Sequence, residues 1–348
     1  MRRTRNERYE WCDRVDVYAC RRQTGSVPTS TRPHVHTPTR LHAYTHMRSI
    51  EIVEVGPRDG LQSEPEILAT GLKIELIGRL VAAGLRRVEV ASFVHPKLVP
   101  QMADAEAVMA ALPRRADVQY VGLVLNRKGF DRALAAGCTE IGMVTAATDS
   151  FSQRNQGASI EATLNTWEEI APLARAASIR AQITVSVAFG CPFEGEVEPS
   201  RVVDIVRRLA DSNPVEIALA DTIGVAVPTQ VTALIDAVRA AVPNVPLRCH
   251  FHNTRNTAVA NAYAAVMSGV STLDASVGGV GGCPFAPNAT GNVATEDLVY
   301  MLSRAGFDTG INLERLIETA NWLQAQRGKP VPSMVSKAGG FPKRAANA

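Results

Sequence analysis

The sequence predicts a closed (β/α)8 barrel, and three observations carry that reading. Eight short β-branched runs alternate with longer helix-like stretches from residue 50 onward. Glycine follows helical stretches in AAGLRRVEV, AAGCTEIG and MSGVSTLD, where a left-handed residue ends a helix at little cost. The uncommon polar residues gather at the carboxyl ends of the runs, the edge on which such a barrel carries its functional groups.

The first run is IEIVEV (50–55), followed by a helix-like stretch at 70–83. RRVEVA (86–91) precedes 101–112, VQYVGLV (118–124) precedes 128–136, and TEIGMVT (139–145) precedes 161–178. IRAQITVSVA (179–188) leads to 200–211, PVEIALA (214–220) to 228–241, and VPLRCHF (245–251) to 255–268, before the last run VSTLDAS (270–276). An open doubly wound sheet would carry a glycine fingerprint after its first strand, and EVGPRDG is not GxGxxG. The barrel is therefore assigned to residues 49–305. Residues 306–348, with the helical NLERLIETANWLQAQ (312–326), are expected to pack outside it.

Residues 1–48 are of another kind. They hold ten arginines against Glu7, Glu10, Asp13 and Asp16, lack apolar periodicity, and run up to Met47, after which ordered patterning begins. A transit peptide would be poor in acids and amphipathic, so an extension upstream of a natural start at Met47 explains the segment more simply. It is expected to be disordered and to take no part in the chemistry. Without it the balance is 27 basic against 30 acidic residues, which leaves no cationic excess to hold a nucleic acid. No apolar run reaches the roughly 18 residues needed to span a membrane. The cysteines at 12, 20, 138, 191, 249 and 283 form no CxxC pair, a spacing that suits reduced thiols. A cytoplasmic location follows, or a mitochondrial matrix one if the extension is a transit peptide after all.

The candidate site residues lie at strand ends. GPRDGLQ (56–62) places Arg58 and Asp59 after the first strand, and Glu89 is an acid inside the second. ALADTIG puts Asp221 at the tip of the sixth strand, and HFHNTRN (250–256) puts His250 and His252 at the end of the seventh. Side chains two apart on a strand face the same way, so both imidazoles point into the barrel. Two imidazoles with a carboxylate from the first strand make half a shell for a divalent cation, and mixed N/O ligands favour Mg²⁺, Mn²⁺ or Zn²⁺. The glycine-rich passage SVGGVGGCPFAPNATGN (276–292) reads as a mobile loop over the mouth. Cys283 at its centre is either an inert turn residue or a thiol able to exchange a proton with substrate. Asn292 offers a neutral oxygen as a further ligand.

Taken together, GPRDGLQ, SFVHPKLVPQMAD, GCPFEG, ADTIG, HFH and GGCPFAPNATGNVATEDLVYML resemble the 3-hydroxy-3-methylglutaryl-CoA lyase family, over residues 50 to 325. The resemblance implies a barrel lyase, dependent on Mg²⁺ or Mn²⁺, that acts on an acyl-CoA and forms a homodimer. It implies Asp59, His250, His252 and Asn292 as metal ligands and Arg58 as the group that stabilises the enolate oxygen. Cys283 would be an acid or base, with Glu89 and Asp221 as polar supports. The chemistry is a retro-Claisen cleavage: a base, Asp59 or His250, takes the hydroxyl proton, the C–C bond breaks, and charge arrives on the thioester oxygen.

One passage departs from that family. HFHNTRN stands where the lyases read H-x-H-D-T-Y-G, so Asn253 replaces an acid and Arg255–Asn256 replace Tyr–Gly. An Asn after the second His is more typical of Claisen-type condensing enzymes that make isopropylmalate or homocitrate. Arg255 either makes the site more positive or opens the next helix. Three functions are therefore weighed: an acyl-CoA lyase for 3-hydroxy-3-methylglutaryl-CoA or a close relative, a condensing acyltransferase, and a non-catalytic barrel.

Overall fold

The computed structural model describes residues 48–282 and 291–342. Eight parallel strands close into a barrel: β1 (Glu51–Glu54), β2 (Arg87–Ser92), β3 (Gln119–Leu123), β4 (Glu140–Ala146), β5 (Arg180–Ser186), β6 (Ile217–Asp221), β7 (Leu247–Phe251) and β8 (Thr272–Ala275). Each pairs with its sequence neighbour, and β8 pairs back onto β1 from Glu51–Thr272 to Glu54–Ala275. A short antiparallel hairpin, Gly190–Cys191 with Gly195–Glu196, follows β5. The expected barrel is the one observed. The N-terminal extension, apart from Arg48, lies outside the described residues. Among the described residues, no helix is long and apolar enough to cross a membrane.

The helices α1 (Thr70–Ala83), α2 (Ala105–Ala111) and α3 (Arg127–Ala136) show how the sequence sets their ends. Asn126 caps α3 by accepting from the Gly129 N–H at 2.9 Å. Gly84 and Gly137 end α1 and α3 at φ of 113° and 83°, a region glycine enters without strain. Buried Leu76, Ile77 and Leu80 form the inner face of α1, at a spacing that one helical stripe supplies.

Two stretches differ from the sequence reading. The helix expected at 101–112 is broken into a single turn, Pro100–Met102, and α2. Asp104 interrupts it with φ −99° and ψ 18°, because its carboxylate is drawn onto α1 by Lys73 Nζ at 2.6 Å and Thr70 Oγ1 at 2.7 Å. A helix directly after β4, α4 (Asp149–Gln156), escaped the apolar pattern because only Phe151 and Ser152 of DSFSQRNQ are buried. α5 (Ile160–Ala176), α6 (Pro199–Ala210), α7 (Pro228–Ala241), α8 (Ala258–Met267) and α9 (Thr295–Arg304) complete the ring, and α10 (Leu313–Arg327) packs on α1 and α9.

The barrel interior is charged where such barrels usually stack Val, Ile and Leu. Buried Arg87 reaches Glu140, Glu216 at 2.5 Å and the half-exposed Glu51 at 3.2 Å. Arg180 meets Glu140 at 3.0 Å. Arg248 stands 3.4 Å from both Glu216 and Asp274. These pairs form a ladder from the amino-terminal edge of the sheet toward the mouth. Charges so buried are stable only while paired. Replacement Arg87→Met leaves Glu140 and Glu216 without their nearest cation and is expected to cost about 3–5 kcal/mol. Urea unfolding of the variant measures this, and a loss below about 1 kcal/mol would show that the ladder is not held by Arg87.

Candidate active site

The turn after β1 wraps around one carbonyl. The N–H groups of Arg58, Asp59 and Gly60 all donate to Val55 O, at 3.2, 2.7 and 3.2 Å. Only glycine fits at 56, since a Cβ there would lie 2.5 Å from Glu54 Oε1. This tight turn aims Arg58 and Asp59 into the barrel mouth. Arg58 Nη1 donates to Asp59 Oδ1 at 2.7 Å, and Nη2 meets Glu89 Oε2, from β2, at 2.6 Å. Two carboxylates therefore fix the guanidinium on one side.

At the end of β7, His250 and, just beyond it, His252 place their ring centroids 5.1 Å apart. Asp59, His250 and His252 each offer a ligand atom, and these atoms lie within 4.8 Å of one another. Asp274 Oδ2, from β8, sits 3.1 Å from His250 Nδ1. With Nδ1–H donating to that carboxylate, Nε2 keeps its lone pair for the site. Asn292 joins the cluster through a backbone bridge to His252, and its Nδ2 donates to Asp59 Oδ2 at 2.9 Å and to Val280 O at 3.2 Å.

Electrostatics keep the group ready for a cation. Burial alone would raise Asp59, but Arg58, His250, His252 and the Asn292 amide outweigh it and hold the carboxyl down to about 2. Burial, with His250 beside it, pushes the His252 imidazole down to about 3. His250 goes the other way, because Asp274 overcomes the effect of burial. His252 Nδ1 and Asn292 Oδ1 are buried with no hydrogen-bond partner among the described residues. Two orphaned lone pairs beside an ionised carboxylate are what a divalent cation would satisfy, and the mixed N/O set suits Mg²⁺, Mn²⁺ or Zn²⁺.

A cavity of about 790 Å³ opens over this cluster and is lined by Arg58, Asp59, Glu89, His250 and His252. Burial lifts the Glu89 carboxyl, against the pull of Arg58. Asp221, expected as a polar support of the site, is not among the described residues that line the cavity. Its oxygens accept the N–H groups of Val225 at 2.9 Å and Ala226 at 3.0 Å, so it shapes the loop after β6. Cys283 lies outside the described residues. Three polar residues that the sequence reading passed over belong to the site: Asp274 behind His250, and Arg248 and Gln182 lower in the cavity. Their signal was period two within strands, as in Arg248–His250–His252.

The unusual HFHNTRN passage is absorbed by backbone. Asn253 Oδ1 accepts from Ala258 N at 3.2 Å, at the start of α8. Asn256 adopts φ 58°, a left-handed conformation that Asn tolerates better than most residues. Arg255 Nη1 donates to Ile223 O at 3.1 Å and Gly224 O at 3.0 Å. Its charge clamps the neighbouring loop and does not line the cavity.

Residues 49–323 match the model of the HMGL-like family. The chain belongs to that family. It is 43% identical over 303 residues to the (R)-citramalyl-CoA lyase of Chloroflexus aurantiacus, covering 84% of this chain and 96% of the relative. It is also 43% identical over 282 residues to the hydroxymethylglutaryl-CoA lyase of Pseudomonas mevalonii, covering 81% and 94%. The HMG-CoA lyase from Acinetobacter baumannii, solved with coenzyme A and 3-methylmalate, superposes with a TM-score of 0.81 at 38% identity, over 86% of this chain and 98% of that one. With these relatives, the HMGL-like chain is a carbon–carbon lyase.

Two buried carboxylates hold the base of the loop that follows β8. Glu54 Oε1 accepts from Gly56 N at 2.8 Å and Val277 N at 2.9 Å, and its Oε2 from Thr295 Oγ1 at 2.6 Å. Glu296 accepts from Gly278 N at 3.1 Å. Burial pushes Glu54 up to about 8, even with three donors opposing it, and Glu296 up to about 7.

Substitution His252→Ala should weaken Mn²⁺ binding by at least ~10-fold, the scale on which losing even a supporting partner is felt. Calorimetric titration checks it, and unaltered affinity would remove His252 from the ligand set. A carboxyl whose folded pKa is raised favours the fold while protonated. The Glu54 contribution is therefore full below its ordinary value of 4.5 and lost as pH rises through about 8. Melting temperature should fall across that window, and less steeply in Glu54→Gln. Identical slopes in the two proteins would show that Glu54 does not titrate with folding.

Proposed function

We propose that this lyase cleaves a 3-hydroxyacyl-CoA by a retro-Claisen step, with 3-hydroxy-3-methylglutaryl-CoA giving acetoacetate and acetyl-CoA. The observation that carries the reading is the convergence of Asp59, His250 and His252 within 4.8 Å beside a guanidinium fixed on one side by Glu89 and Asp59. Asp59, His250, His252 and Asn292 are the groups that would hold Mg²⁺ or Mn²⁺. When bound there, such an ion supplies Lewis acidity that makes the substrate hydroxyl easier to deprotonate.

The residues divide the remaining work. The C2–C3 bond electrons pass to the thioester as its hydroxyl proton leaves, and the negative charge settles on the thioester oxygen. Arg58 meets that charge. Its Nε is buried with no partner among the described residues, and a guanidinium never surrenders its proton at working pH. Asp59, held near a pKa of about 2, is a poor base at neutral pH. His250 has one nitrogen engaged by Asp274, so its other nitrogen either binds the ion or takes a proton, not both. Overall one proton travels from the C3 hydroxyl to C2 of the departing enolate, and Cys283 is the proposed carrier. Glu89 orients Arg58.

The similarity to a citramalyl-CoA lyase supports a second substrate, (R)-citramalyl-CoA, cleaved by the same steps to pyruvate and acetyl-CoA. A condensing reaction loses its one sequence argument, since Asn253 serves the start of α8. Assay of both thioesters with Mg²⁺ or Mn²⁺ decides between the substrates, and release of acetyl-CoA from neither would refute the proposal. Arg58→Met should retain Mn²⁺ while kcat falls about 10²–10³-fold, the loss typical of an oxyanion donor. Undiminished kcat would deny Arg58 that role.

A further inference from the structure

The cavity continues below the cluster of Asp59, His250 and His252. Arg248 precedes His250 by two residues on β7, so its side chain enters on the same face, roughly 6–7 Å nearer the amino-terminal edge. Its Nη2 donates to Gln182 Oε1, on β5, at 2.6 Å. Gly142 on β4 makes room for this pair, because a Cβ there would lie 2.6 Å from Gln182 Nε2. Arg248, Gln182, Gly142 and Thr184 all line the cavity. They form a polar floor beneath the site.

The donors of that floor are only loosely engaged beyond the bond to Gln182, with Arg248 Nη2 reaching Thr184 Oγ1 at 3.5 Å. The Arg248 side chain is 4% exposed, and its Nε has no hydrogen-bond partner among the described residues. Nη1 comes only within 3.4 Å of Glu216, and Nε within 3.4 Å of Asp274. Glu216 has a nearer cation in Arg87, at 2.5 Å, and Asp274 Oδ2 is engaged by His250. Gln182 Nε2 makes no hydrogen bond among the described residues. A buried guanidinium with spare N–H groups, beside an amide with a spare NH₂, is a receptor for a carboxylate.

Resting on the acyl-CoA reading above, we propose that Arg248 and Gln182 bind the carboxylate on the half of the substrate that leaves as the oxo acid. The pair thereby sets the preference for a carboxylated 3-hydroxyacyl chain. The nucleotide of CoA cannot enter a packed barrel, so the thioester lies toward the mouth and the substituents of C3 point down. A carboxylate on that branch reaches the floor and fills the spare donors. An alkyl branch leaves them unmatched in a buried site, a mismatch that binding sites penalise heavily.

The test measures binding in Mn²⁺-loaded, full-length Arg58→Met protein, where turnover is suppressed. Two thioesters are compared by calorimetry: 3-hydroxy-3-methylglutaryl-CoA and 3-hydroxy-3-methylbutyryl-CoA, which lacks the distal carboxylate. The parent is expected to bind the first on the order of 30-fold more tightly, as for a charged hydrogen bond. Adding Arg248→Lys, which keeps the charge inside the ladder, or Gln182→Leu should reduce that ratio to about 3-fold or less, with Mn²⁺ stoichiometry and binding of the butyryl thioester unchanged. A ratio preserved in both variants overturns the proposal. So does an equal weakening of both thioesters with loss of Mn²⁺, which would make Arg248 a strut for Asp274 and His250. Failure of the parent to bind either thioester would instead remove the acyl-CoA reading on which the proposal stands.

Discussion

Pairing of β1 with β8, from Glu51–Thr272 to Glu54–Ala275, closes the sheet, and the geometry of the mouth depends on that seam. Asp59 follows the first strand, while the imidazoles and Asn292 come from the last third of the chain. Without closure they share no site. Glu54 lies on the seam and accepts donors from Gly56, Val277 and Thr295 at once. One buried carboxyl thus joins the turn that carries Arg58 and Asp59 to the base of the segment that leads toward Asn292.

The interior carries its own electrostatic constraint. Charged residues inside a barrel cost desolvation, and each here is offset by a specific neighbour: Arg87 by Glu140 and Glu216, Arg58 by Glu89 and Asp59. Apolar layers would be at least as stable, so the ladder is better understood through what it does for the site. It supplies Asp274 behind His250. The site's own charges hold Asp59 ionised, and burial with His250 beside it keeps His252 neutral, the protonation states that cation binding requires.

The departures in HFHNTRN illustrate how residue identity and residue role separate. An arginine next to two histidines looks, in one dimension, like a change in the charge of the site. In the fold it turns away to the carbonyls of Ile223 and Gly224. Asn256 stands where a left-handed residue is needed and Asn253 where a helix begins, so the substitutions alter loop support more than cavity chemistry. Arg248, in contrast, drew no notice in the sequence because it sits within an apolar-looking strand, yet it faces the cavity floor.

Several features were legible from the amino-acid string. Strand number, parallel order and the glycine-marked helix ends follow from local periodicity and from φ/ψ sterics, which neighbouring residues determine among themselves. That Arg58 and Asp59 lie at the mouth follows from their place after the first strand, and that His250 and His252 face one way follows from two-residue alternation. Partnership did not follow. Whether Asp221 faces substrate or backbone, which acid stands behind His250, and which arginine remains underpaired are set by distances across the closed sheet. Coulomb and hydrogen-bond energies change steeply over a few ångströms, and only the tertiary fold decides those ångströms.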